Sequence, residues 1–130
     1  MLLQSLIHYS LHFAFPALIA YIFFRRDWKK VYIIFLATML VDVDHVLATP
    51  IFEASRCGFG FHFLHSYWAI AVYVLLLFFK RPYRIIGIGL LFHMFTDLID
   101  CLFSYHRCEV CVEDAPAFEL LKAISEFFGG

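Results

Sequence analysis

Residues 85–103 read IIGIGLLFHMFTDLIDCLF, and the solvent this stretch requires decides the fold. As a helix rising 1.5 Å per residue it is about 28 Å long, close to the roughly 30 Å of hydrocarbon in a bilayer. His93, Asp97 and Asp100 interrupt it at spacing i, i+4, i+7, so all three lie on one helix face. Ionisable groups inside a membrane span are costly and face partners rather than lipid. This helix therefore needs other helices to cover its polar stripe.

The chain supplies three more stretches of spanning length: Leu2 to Phe24, Val31 to Thr49 and His62 to Phe79. In hydrocarbon they must be helices, because an open strand edge would leave backbone groups unpaired. A hydrophobic share of 63% against 16% charged residues lies outside the balance of a soluble domain, and 130 residues make one domain. A formal charge of −1 gives no hint of nucleic-acid binding, which needs a basic surface, so no nucleic-acid partner is expected and membrane lipid is. The first stretch lacks a basic start and a small-residue cleavage site, so it is expected to stay as a mature helix. Oligomeric state is not encoded in any visible pattern.

Arg25-Arg26-Asp27-Trp28-Lys29-Lys30 and Lys80-Arg81-Pro82-Tyr83-Arg84 form short charged turns that hold seven of the ten basic residues. The connection between them, Pro50 to Phe61, holds only Arg56. The positive-inside rule then puts the basic turns in the cytoplasm and both termini outside, on the periplasmic side of a bacterial inner membrane. Beyond Pro116, apolar residues Phe118, Leu120, Leu121, Ile124, Phe127 and Phe128 recur at helical spacing between Glu119, Lys122, Ser125 and Glu126. The expected fold is all-α: an integral membrane four-helix bundle over residues 1–106, and an outward tail over 107–130 ending in a short amphipathic helix on the membrane surface or the bundle mouth.

Counted from the basic ends of alternately directed helices, His8, His12, Asp42, His45, His62, His65, Asp97 and Asp100 all fall roughly 17–26 Å along, with His93 deeper at roughly 12 Å. The pairs Asp42/His45 and His62/His65 are i, i+3, and His8/His12 are i, i+4, so each helix presents a polar stripe. No buried Lys or Arg is available to pair with the carboxylates, and unpaired carboxylates in lipid are expensive. The residues expected to bind metal are His8, Asp42, Asp44, His45, His62, His65, His93 and Asp97. His12 reads as a hydrogen-bonded packing residue, and Asp44 and Asp100 as spare carboxylates able to take a proton. Imidazole with carboxylate and no thiolate suits Zn²⁺ first, then Mn²⁺ or Fe²⁺, in one-metal or carboxylate-bridged two-metal form.

The succession Asp42-Val43-Asp44-His45, His62-Phe63-Leu64-His65-Ser66 and His93-Met94-Phe95-Thr96-Asp97 resembles the inner-membrane metal-dependent hydrolase family of bacteria. The resemblance implies Asp42, Asp44, His45, His65, His93 and Asp97 as metal positions. Val41 stands where that family usually has Pro, and His62-Phe63-Leu64 where it has His-Arg-Gly, so the arginine that would meet a phosphate is missing. From His8 to Cys101 the chain also resembles a smaller, uncharacterised bacterial family of four-helix membrane proteins.

Cys57, Cys101, Cys108 and Cys111 all lie on the outward side, where disulfides persist. Three pairings are open; Cys57 with Cys101 is favoured, leaving Cys108 and Cys111 as a second pair or free dithiol. With only His106 nearby as a third ligand, Cys108-x-x-Cys111 reads as structural rather than as a zinc site.

The function expected is a membrane-embedded metal-dependent hydrolase acting on a lipid or headgroup ester, phosphoester or amide, with Arg56 and Arg107 as cations for an anionic headgroup. Two other classes remain open. One is a redox protein holding haem or di-iron, against which the four aspartates weigh in the haem case. The other is a metal-binding structural or transport protein, for which Pro16 is the only helix breaker at mid-depth.

Overall fold

The computed structural model describes residues 2–43, 57–60 and 62–129, and among these the chain is helical with no strand. The helices are α1 (Leu2–Phe23), α2 (Trp28–Thr38), α3 (Tyr67–Leu76), α4 (Tyr83–Arg107) and α5 (Phe118–Gly129). Helix α4 is the spine: α1, α2, α3 and α5 all pack on it.

Two glycines set how closely they pack. A Cβ at Gly89 would stand 2.9 Å from both Phe35 Cδ1 and Thr38 Cγ2 of α2, and one at Gly87 would stand 2.8 Å from Leu76 Cβ and 2.9 Å from the Tyr73 carbonyl of α3. Only a residue without a side chain allows both approaches. One apolar core, with Ala20, Val31, Phe35 and Ile85, lies toward the charged turns. The other runs from Val41, Tyr73 and Met94 to the tail residues Val112, Ala117 and Leu121.

Among the described residues, α1 and α4 are long and apolar enough to cross a membrane. The stretch expected to span from Val31 to Thr49 is helical through Thr38 and continues as a 3-10 turn, Met39–Asp42; residues 44–49 lie outside the described part. The Thr38 hydroxyl donates to the Phe35 carbonyl at 2.6 Å, occupying an acceptor of the last α-turn where the helix tightens. The stretch expected to be helical from His62 to Phe79 is shorter. Phe63–His65 form a 3-10 turn, and the helix begins only after Ser66, extended at ψ 159°, whose hydroxyl oxygen accepts the Ala69 N–H at 3.2 Å. A serine in this position caps a new helix, so the turn before it is a separate element.

Helix α1 is continuous but widens into a π-turn at Ser10–Ala14, where the Phe15 N–H reaches back to the Ser10 carbonyl. Pro16 is the physical cause: its nitrogen has no hydrogen to donate and its ring crowds the carbonyl four residues before it, that of His12.

Both charged turns lie at one end of the molecule, joined by Arg81 Nη2 to Asp27 Oδ2 at 2.9 Å. At the other end disulfides link Cys57 to Cys101 and Cys108 to Cys111, the pairing favoured from topology. The tail rests on the mouth of the bundle, as α5 buries Leu121 completely while Phe127 and Phe128 project.

Candidate metal centre

Four side chains from three parts of the fold converge. The turn after α2 delivers Asp42, the 3-10 turn before α3 delivers His65, and α4 delivers His93 and Asp97 one helical turn apart. One donor atom from each lies within 4.8 Å of the other three.

The donors alternate nitrogen and oxygen around a closed ring. Asp42 Oδ1 is 3.1 Å from His93 Nε2 and 3.4 Å from His65 Nε2; Asp97 Oδ2 is 3.1 Å from His65 Nε2 and 3.3 Å from His93 Nε2. Four ligands bound tetrahedrally at about 2.0–2.1 Å stand about 3.3–3.4 Å from one another. Four of the six separations therefore match the edge of such a shell, and the other two are no longer than 4.8 Å.

One edge, between His93 Nε2 and Asp42 Oδ1 at 3.1 Å, is also a hydrogen bond. Asp97 Oδ2 is buried beside two imidazole nitrogens, yet among the described residues it makes no aligned hydrogen bond. That oxygen is therefore the donor of the ring best placed to take a cation. The group can hold a metal ion, offering two imidazole nitrogens and two carboxylate oxygens as donors. His65 and His93 are 0% and 1% exposed, whereas the Asp42 side chain is 43% exposed and marks the open side.

The other expected ligands separate into three groups. Asp44 and His45 lie outside the described residues. His62 is buried next to His65, ring centroids 6.1 Å apart, but it is not one of the four donors; it precedes the 3-10 turn in extended backbone and so does not share a helix face with His65. His8 is also outside the ring, with Nδ1 3.8 Å from Asp100 Oδ1. Asp100, expected as a spare carboxylate, accepts a hydrogen bond from Gln4 Nε2 at 2.9 Å, and Arg107 donates in turn to Gln4 Oε1 at 3.0 Å.

His12 lies closer to the centre than its reading as a packing residue implied. It is 5% exposed, its Nε2 is 3.9 Å from Asp97 Oδ1, its ring is 4.9 Å from that of His93, and it stacks on His8 at 4.2 Å. Pro16, four residues on, was the sequence signal that backbone regularity breaks at His12. Gln4 had no signal, since a glutamine near a helix start faces anything.

Among curated proteins and solved structures, none matches the chain. A family model does match over residues 2–104, a range that contains α1, most of α4 and every donor of the ring. Its function is unknown, so the likeness to metal-dependent hydrolases rests on the short motifs alone. The chain belongs to this family, a family of unknown function designated DUF6122.

Proposed function

We propose that the chain is a four-helix protein of the bacterial inner membrane with both termini outside, and that it is a metal-dependent hydrolase of a lipid or headgroup ester, phosphoester or amide. The observation carrying this reading is the ring of Asp42, His65, His93 and Asp97, with edges of 3.1–3.4 Å and one exposed member. A Zn²⁺-type ion bound there supplies Lewis acidity and acidifies water.

The chain's own residues would do the rest. His65, His93 and Asp97 hold the buried side of the centre, and His12 lies beside Asp97 at 3.9 Å. Asp42 borders the side that substrate can reach, and Asp44 and Asp100 are the carboxylates left to accept a proton. An open groove of about 330 Å³ lies between α2 and α4, lined by Ile34, Ala37, Thr38, Val41, Ile86 and Leu90, with Val41 next to Asp42 in sequence. Thr38 and Gly89 meet one turn beneath Asp42 and His93, so an acyl chain in the groove would bring its linkage to the donors. Membrane residence is supported by the outward apolar surface: only 17% of the apolar window of α1 and 39% of that of α4 is buried within the protein, unlike a soluble core helix.

The test is elemental analysis of the purified protein and of Asp42→Ala, His65→Ala and Asp97→Ala, beside release assays on phospholipid, lysolipid and acyl-amide substrates. Stoichiometric metal in the parent, its loss from all three variants and metal-dependent cleavage of one lipid class are expected. Full metal retention by a His93→Ala/Asp97→Ala protein rejects the centre; metal without cleavage rejects the hydrolase.

A further inference from the structure

We propose that the Cys57–Cys101 disulfide positions His65 in the metal centre, so that the centre assembles only after these two thiols have been oxidised. This rests on the reading of His65 as a ligand. Asp42, His93 and Asp97 are carried by a helix or by its direct continuation, whereas His65 sits on a three-residue turn between Ser66 and the segment beginning at Cys57. Such a turn has little rigidity of its own.

Two of its hydrogen bonds are local. The Gly60 N–H donates to the His65 carbonyl at 2.8 Å, closing a small loop that Gly60 permits by its φ of +80°, and the Tyr73 hydroxyl donates to the Leu64 carbonyl at 2.8 Å from the adjoining α3. Neither bond reaches α4. The covalent tie to α4 is the disulfide, and it lands on Cys101, four residues after Asp97 and eight after His93, hence on the same face of the helix that carries both donors. Cys57 and Cys101 are 2% and 4% exposed, packed in the core that also holds Met94 and Tyr105. Without the bond, the loop would have to find its place on α4 through noncovalent contacts such as His65 with Asp97, paying the ordering entropy that the cross-link removes.

Formation of the bond is thiol–disulfide exchange: the Cys57 and Cys101 thiols lose two protons and two electrons, and the disulfide of a donor oxidant is reduced to two thiols. The reaction class that must precede metal loading is therefore protein dithiol oxidation on the outward side of the membrane.

Co²⁺ serves as the probe, with affinity measured by competition and ligand number by its visible absorption. Cys57→Ser/Cys101→Ser is expected to bind Co²⁺ about 10–100-fold more weakly than the parent, as His65→Ala does. The triple variant should lose no more than either, because both changes remove the same ligand. Cys108→Ser/Cys111→Ser should bind as the parent does. Additive losses in the triple variant, or parental affinity in Cys57→Ser/Cys101→Ser, overturn the tether and leave the centre standing. A parent protein that takes up no Co²⁺ overturns the centre and the tether together. If serine at these buried positions costs helical circular dichroism, Cys57→Ala/Cys101→Ala repeats the comparison with apolar replacements.

Discussion

Asp42 and Asp97 are the same side chain in two environments. Asp97 touches His65, His93 and His12 and is 15% exposed; Asp42 touches the first two and is 43% exposed. An amide in place of a carboxylate offers a poorer ligand, and at Asp97 it would also turn an N–H group toward crowded imidazoles. Asp97→Asn is therefore expected to lower metal affinity about 10–100-fold and Asp42→Asn by less, as read by competition titration. Equal losses would show that water reaches both oxygens alike. His12→Phe keeps the ring and removes the nitrogen facing Asp97, so it should weaken binding while leaving helicity unchanged. Residue types and depths were legible in the sequence, which is why His65, His93, Asp42 and Asp97 could be named from it. Ranking His12 above His8 was not, because the choice depends on the phase of α1 after its π-turn.

At the scale of elements, the close contacts of α4 carry the strongest expectations. At Gly87 the atoms a Cβ would meet are Leu76 Cβ and the Tyr73 carbonyl, which cannot rotate away, so α3 must shift as a whole. Gly87→Ala should cost about 1–3 kcal/mol in unfolding experiments on the solubilised protein. At Gly89 the nearest atoms belong to the buried Phe35 ring and to Thr38, whose hydroxyl is already bound to the Phe35 carbonyl, so the cost there should be similar. Pro16→Ala restores an N–H donor, allowing the π-turn to relax to an α-turn; α1 should exchange amide hydrogen more slowly while metal affinity falls as His12 turns away. Helix existence was readable from hydropathy and length. The break at Ser66 was not, since one hydroxyl in an apolar run reads equally as a lipid-buried serine or a cap, and only the extended backbone there decides.

For the whole molecule, the disposition of charge and disulfides is the testable feature. The charged turns meet at one end through Asp27 and Arg81, and both cystines sit at the other. Under the proposed orientation, a reporter fused after Gly130 should be active only on the outer side of the inner membrane, and alkaline carbonate should leave the protein in the membrane fraction. A cytoplasmic reporter signal would invert the topology, and release by carbonate would refute the embedding. Composition alone pointed to helices, and under the proposed embedding backbone groups in hydrocarbon must pair within their own segment. Sequence spacing also put imidazoles and carboxylates at one level. What it could not decide is which of them meet. That followed from two glycines that admit close neighbours, a proline that rephases α1, and a disulfide that brings a loop to α4, all of which act between segments distant along the chain. Periodicity describes one helix at a time, and a coordination shell is a relation among several.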